Sequence, residues 1–264
     1  MENTFSQWMR YNLKDAYGGL ITQDVDFVVI NKNTLEFCFI EEKNSEYARI
    51  GPAQKIIFKM FDDFLRSNSK FLGTHLLIIT DASLPPDSIF SKILGRSSQR
   101  WDLEQDVVDK LWDCSGNPPT VKTEKERSRY RGSVLEGIFD KAEAKIIIAR
   151  ENLLIEKIDW IFLNYCSGYF IFLEEENRNK RKRPDKEKFI KFIDRIFKEA
   201  NNAPDKAYNP KSKATYRYLG YFTLSFSNNN PDDSDRILLN GKQIDRASLI
   251  NLLNLDNDDI IKYS

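Results

Sequence analysis

The sequence predicts an α/β protein of two similar lobes, each a helix-strand-strand-helix-strand-helix sandwich around a small mixed sheet. Three observations predict it. The stretch "VDFVVINKNTLEFCFIEEKN" (25–44) reads as two apolar strands around a polar turn, with charges gathered at the strand ends. The stretch "IDWIFLNYCSGYFIFLEEEN" (158–177) overlays it without a gap at a shift of 133, with seven identities in twenty positions. Chance at ordinary residue frequencies of roughly 5–10% would give one or two. Each pair is then followed by a proline-led amphipathic helix and another apolar run.

In chain order, residues 4–16 have helical periodicity and stop at Gly18-Gly19. Ile21–Lys32 and Leu35–Asn44 are strands joined by "NKNT". A helix starts at Pro52, with Ile56, Phe58, Phe61, Phe64 and Leu65 on its buried side. "THLLIITDA" is a third strand, closed by a turn at Pro85-Pro86-Asp87, and "DLEQDVVDKLWD" (102–113) is a short helix. Residues 114–133 are polar, proline-containing and charge-dense, as a linker would be. The pattern then begins again with a helical "SVLEGIFDKAEAKIIIAR". The second helix aligns at a shift of 132, pairing Pro52 with Pro184, Lys59 with Lys191 and Asp62 with Asp194. "LGTHLLIITDASLPPDS" resembles "LGYFTLSFSNNNPDDS". An internal duplication explains these matches. The lobes are then 1–113 and 134–264.

Composition narrows the chemistry. The chain has 264 residues, 40 basic and 40 acidic, so no global field draws nucleic acid or membrane and any charged partner must meet a local patch. The cysteines are three, far apart and without CxxC spacing, which suits a reducing, cytoplasmic setting. The opening residues read as a polar-faced helix rather than a signal peptide, and no apolar run is long enough to span a bilayer. A lone histidine, His75, and three cysteines far apart in the chain argue against histidine-based triads and His/Cys zinc clusters. Any catalysis must use carboxylates, lysine and a hard metal.

Residues two apart in a strand share a face, so Glu41 and Lys43 point one way and Glu42 the other. In a hairpin, Asp26 lies close to Glu41. Two carboxylates with water suit Mg²⁺, which lowers the pKa of a bound water and offsets charge on an attacked phosphate. The lysine orients the water or stabilises the phosphate. Asp24, on the face of Asp26, is the rival ligand. The plainer alternative is a solvated strand end with an ordinary salt bridge. His75 reads as a packed or exposed histidine without chemistry, and Trp8, Trp101, Trp112 and Trp160 as core or interface residues. "RNKRKR" supplies Arg178, Lys180, Arg181, Lys182 and Arg183, either a phosphate-gripping loop or a solvated one.

Asp26, followed fifteen residues later by Glu41-x-Lys43, resembles the PD-(D/E)xK nuclease superfamily signature. The first aspartate sits in one strand ("DVDFVV") and the (D/E)xK in the next ("FIEEK"), and the following helix carries Gln54, where the family often has glutamine. The resemblance covers about residues 1–110. Val25 stands where the family has proline, and the first helix offers Gln7 rather than a glutamate. The resemblance implies a restriction-endonuclease-like fold and a metal-dependent endonuclease using Mg²⁺ or Mn²⁺. Asp26 and Glu41 would hold the metal, Lys43 would position water, and Gln54 would support the site. The substrate implied is duplex DNA, cut in restriction or repair, with a homodimer or internal pseudo-dimer as the assembly. In the second copy Asp159 and Glu174 recur, but Glu176 replaces the lysine and Lys186 the glutamine; Lys186 could in principle reach in from its helix, and the site reads as degenerate, with a structural or DNA-holding role. Two further readings stand beside this one: a catalytically inactive, nuclease-derived binding or assembly module, and a defence- or toxin-type RNase.

Overall fold

The computed structural model describes residues 4–43, 50–79, 83–94, 133–176, 184–210, 212–228 and 230–264. The expected helix at 102–113, residues 114–132 of the linker and the basic run at 178–183 lie outside the described residues.

The capped helix α1 (Phe5–Asn12) and a 3₁₀ turn (Ala16–Gly18) lead into strand β1 (Leu20–Asn31), so the helical signal over 4–16 breaks at Leu13. Strand β2 (Phe37–Lys43), helix α2 (Pro52–Phe64), strand β3 (Phe71–Ile78) and helix α3 (Pro86–Leu94) follow. The prolines expected to make a turn instead start α3, because proline is preset for a first helical turn. Then come helices α4 (Val134–Phe139) and α5 (Ala142–Arg150), strands β4 (Leu153–Asn164) and β5 (Tyr169–Glu175), helix α6 (Pro184–Ala200) and strand β6 (Arg217–Phe226). A hairpin of β7 (Ile237–Leu239) and β8 (Lys242–Ile244) and helix α7 (Arg246–Leu253) complete it, before a last 3₁₀ turn.

The described strands form one continuous eight-stranded mixed sheet in the order β3-β2-β1-β4-β5-β6-β7-β8. This overturns the expectation of two lobes with separate small sheets. The cause is the pairing of β1 with β4, antiparallel and along nearly their whole length. Both strands are buried on both faces over most of their length, and either one left at a sheet edge would present unpaired backbone beside apolar side chains.

The pairing obeys a two-fold rule. Leu20 faces Asn164 while Asn31 faces Leu153, and Gln23 faces Ile161 while Val28 faces Glu156; each pair becomes the other under the shift of 133. Val25 faces Ile158, its own counterpart, so the pseudo-dyad passes between them. The hairpins agree: Phe27 opposite Ile40 recurs as Trp160 opposite Leu173. In β3 and β6 the pairing slips at equivalent glycines, Gly73 and Gly220, whose φ values of 99° and 147° suit a residue without Cβ. The next residue in each strand is held by a helix aspartate. Thr74 Oγ1 donates to Asp62 (3.0 Å), and the Tyr221 N–H donates to Asp194 (3.2 Å).

One face of the sheet carries α2 and α6 together over a core shared by both repeats, including Val25, Val28, Phe39, Phe61, Ile158, Ile161, Phe172 and Phe197. The other face is covered crosswise. Helix α1 packs over strands of the second repeat, with Phe5 5.6 Å from Phe226 between ring centres, and Trp8 donates to Asp232 (2.6 Å). Helices α4 and α5 cover the first repeat, with Phe139 edge-on to Phe27 at 5.2 Å. Each repeat's leading helix thus shields its partner repeat.

Candidate active site

Between Val25 and Val28 the register of β1 against β4 slips. Val25 and Val28 both enter the α2/α6 core, whereas Phe27 and Val29 face the opposite side. An extra residue in a strand breaks the period of two and re-aims a side chain, and Asp26 stands at that break. Its Oδ2 accepts the Glu42 N–H at 2.8 Å, tying it to the neighbouring strand.

Glu41 and Lys43 share a face of β2, and α2 brings in Gln54 from its first turn. Lys43 Nζ lies 2.5 Å from Glu41 Oε1, and Gln54 Nε2 donates to the same oxygen at 2.5 Å. The Gly51 N–H occupies Gln54 Oε1 at 3.2 Å, so the amide has only its NH₂ to offer the glutamate. Both donors among the described residues meet Oε1. Glu41 Oε2 is buried with no hydrogen-bond partner among the described residues, on a residue only 2% exposed. A bare buried carboxylate oxygen is costly unless it carries a proton or meets a cation. Burial pushes Glu41 up to about 7, with Asp26 adding repulsion and Lys43 opposing it. Burial also raises Asp26, with Asp24 contributing and the Glu42 N–H opposing.

All four expected residues of the first site are therefore brought together. Asp24 stays nearby, accepting from Gln23 Nε2 at 2.7 Å. Gln7 is not part of the site: it closes the cap of α1 with Thr4, on the opposite side of the sheet. Glu42 faces away and does structural work. It accepts from Ser133 Oγ, the Val134 N–H (2.6 Å) and the Leu135 N–H (3.2 Å), bonding the N-terminus of α4 across the repeats. Nothing local in the sequence signals this bond, since its partners lie 91 to 93 residues away. Glu42→Ala is expected to cost about 2–3 kcal/mol in urea unfolding, as charge-assisted bonds to a buried carboxylate do. A loss below about 0.5 kcal/mol, the range of neutral surface changes, would contradict this role.

The second repeat places the counterparts alike. Asp159 Oδ2 accepts the Glu175 N–H at 3.1 Å, as Asp26 does from Glu42. Burial pushes Glu174 up to about 7, with Lys186 opposing and Asp159 reinforcing. Lys186, in the first turn of α6, reaches Glu174 Oε2 at 2.9 Å, and the buried Tyr221 hydroxyl donates to that oxygen at 3.1 Å. Glu176 is exposed. Tyr221 carried no signal in sequence, because the parallel pairing of β5 with β6 brings it alongside. His75 is buried in β3.

A divalent cation is compatible with the first site. Mg²⁺ keeps several waters and takes one or two carboxylates from a protein, and Asp26 with the bare oxygen of Glu41 supplies such a pair. Among the described residues, no group of three or more His, Cys, Asp or Glu side chains converges on one point. No described helix is long and apolar enough to cross a membrane.

No family model matches the chain, and no solved structure does. Two Archaeoglobus fulgidus proteins, each described as an uncharacterized protein, are similar to it. One is 48% identical over 148 residues, which span 54% of this chain and 93% of the relative. The other is 38% identical over 133 residues, which span 44% of this chain and 92% of the relative. Each relative is thus matched almost whole by about half of this chain, and the chain belongs to the same family as these archaeal proteins.

Proposed function

We propose that the protein is a Mg²⁺-dependent endonuclease that hydrolyses phosphodiester bonds of duplex DNA, with its working site at Asp26, Glu41, Lys43 and Gln54. The observation that carries this reading is the bare, buried Oε2 of Glu41 beside Asp26. Two carboxylates and one lysine are set together there, with a buried oxygen that no described donor meets and that a cation would satisfy. Asp26 and Glu41 would hold the cation, Mn²⁺ serving in place of Mg²⁺. When bound, it supplies Lewis acidity and a more acidic water. Gln54 keeps the Glu41 carboxylate turned so that Oε2 faces away from the helix donors. Lys43, with its side chain 20% exposed, is the site's cationic contact with solvent. One of its N–H groups is spent on Glu41, which leaves two to orient a water or a phosphate oxygen. The basic run at 178–183 fits a grip on the DNA backbone.

Incubation of the protein with supercoiled plasmid, linear duplex, single-stranded DNA and RNA, each with Mg²⁺ or EDTA, tests the reading. Mg²⁺-dependent conversion of plasmid to nicked and linear forms is expected. Binding without cleavage would make the chain an inactive nucleic-acid-binding module, and cleavage confined to RNA would make it a ribonuclease.

A further inference from the structure

We propose that Asp159, Glu174 and Lys186 form a second phosphodiester-cleaving site that takes its own divalent cation, so that one chain cuts both strands of one duplex. The inference rests on the reading of the first site, and it reverses the expectation that the second copy is degenerate.

The expectation of a dead site came from charge. Lysine is replaced by Glu176 in the strand, which would set a third carboxylate where the phosphate must sit. In the fold Glu176 is exposed, and the positive charge has moved rather than vanished. Lys186 occupies the position of Gln54, one turn into the equivalent helix, and reaches the second carboxylate of its repeat at 2.9 Å, as Lys43 reaches Glu41 at 2.5 Å. Each repeat therefore holds one lysine on one glutamate, with one aspartate close enough to repel that glutamate. In each, the aspartate accepts the backbone N–H that follows the glutamate. In each, both donors to the glutamate meet a single oxygen: Lys43 and Gln54 in one, Lys186 and Tyr221 in the other. Lys186 is further steadied by the Lys157 carbonyl at 2.5 Å and by Glu156 at 3.9 Å. A lysine only 15% exposed that is held on three sides is positioned, not solvated.

The pseudo-dyad names the substrate geometry. Because Val25 pairs with Ile158, Asp26 and Asp159 each lie one residue from the axis, on adjacent antiparallel strands. Strand spacing and rise place their Cα atoms about 8 Å apart. Glu41 on β2 and Glu174 on β5 are three strand spacings apart, about 14 Å, which leaves no room for a separate duplex at each site. The strands of a duplex are themselves antiparallel and related by two-fold axes, which protein two-fold symmetry matches. Each site then meets one strand with the same polarity. The step is hydrolysis: a water oxygen bonds to phosphorus, the bond to one sugar oxygen breaks, and the water's proton ends on the departing alkoxide, with no change of oxidation state.

Two measurements on the full chain test this. Calorimetric titration with Mn²⁺ is expected to show two equivalents for the wild type and one for either Glu41→Gln or Glu174→Gln. On supercoiled plasmid, the wild type should yield linear product, each single variant nicked circles only, and the double variant neither. Lys186→Gln should behave as Glu174→Gln does, and circular dichroism should show all variants folded. One equivalent in the wild type, or linear product from Glu174→Gln at the wild-type rate, would overturn the second site. A wild type that binds two equivalents and cuts no nucleic acid would instead retain both cation sites and sink the proposed activity.

Discussion

Lys43→Ala is expected to lower the formation of linear product by about a hundredfold to a thousandfold, the usual cost of removing one preorganised donor from a reacting oxygen. Folding should survive, because Lys43 is partly exposed and its partner can respond by holding a proton. Glu41 already sits near 7 through burial, and losing the nearby cation moves it further up. The same argument gives a pH dependence. A carboxyl raised from 4.5 in the unfolded chain to about 7 in the folded one is bound to a proton preferentially in the fold between those values. Its stabilising share is complete below about 4.5 and is lost as pH rises through 7. Without metal, the protein should therefore melt lower at pH 8 than at pH 5. The ceiling from Glu41 alone is about 3 kcal/mol at 1.36 kcal/mol per unit. Glu174, also near 7, and Asp62, near 6, act in the same direction. Mg²⁺ should raise the melting temperature more at pH 8 than at pH 5, since it competes with the proton for the same oxygens, and Glu41→Gln should diminish that difference. Cleavage should rise from pH 6 to pH 8. An equal Mg²⁺ effect at both pH values, or near-normal cutting by Lys43→Ala, would remove the first site from the mechanism.

Phe61→Ala is expected to cost about 3–5 kcal/mol, the range for deleting a buried ring from a close-packed core. Phe61 is fully buried on α2. Its ring stacks on Phe39 at 4.6 Å and lies 5.5 Å from Phe197 and 5.9 Å from Phe172. Phe39 belongs to the first repeat and the other two to the second, so the ring joins the halves across the dyad. Its removal should loosen both at once. Chemical unfolding of the variant should keep one transition, shifted as a whole, while Tyr11→Ala, at a position 85% exposed, should change stability by less than about 0.5 kcal/mol. Two separated transitions in the wild type would show that the repeats fold as independent units despite the shared sheet.

Half-length relatives accord with this architecture. Two archaeal chains match about half of this one over nearly their whole length, and a single repeat cut from this fold would expose β1 along its full edge.

What was legible in the sequence was local and periodic. The strand pairs, the proline-led helices and the repeat follow from alternation, caps and a constant shift, all of which act over a few residues or compare like with like. Asp26, Glu41, Lys43 and Gln54 could be grouped because a hairpin and the helix after it leave few ways to arrange them. The joining of two sheets into one was not legible, because β1 reads the same whether it meets solvent, a neighbouring chain or β4. Only the tertiary structure decided the pairing of Val25 with Ile158, and with it the bulges that aim Asp26 and Asp159. It also decided the crosswise packing of α1, α4 and α5, the bond from Glu42 to α4, and the roles of Asp62 and Asp194 at the glycine bulges. The sharpest case is Lys186. A strand-by-strand reading finds a glutamate where a lysine is wanted, yet a charge is placed by the position of its ammonium in space, and a long side chain on the facing helix reaches the same carboxylate.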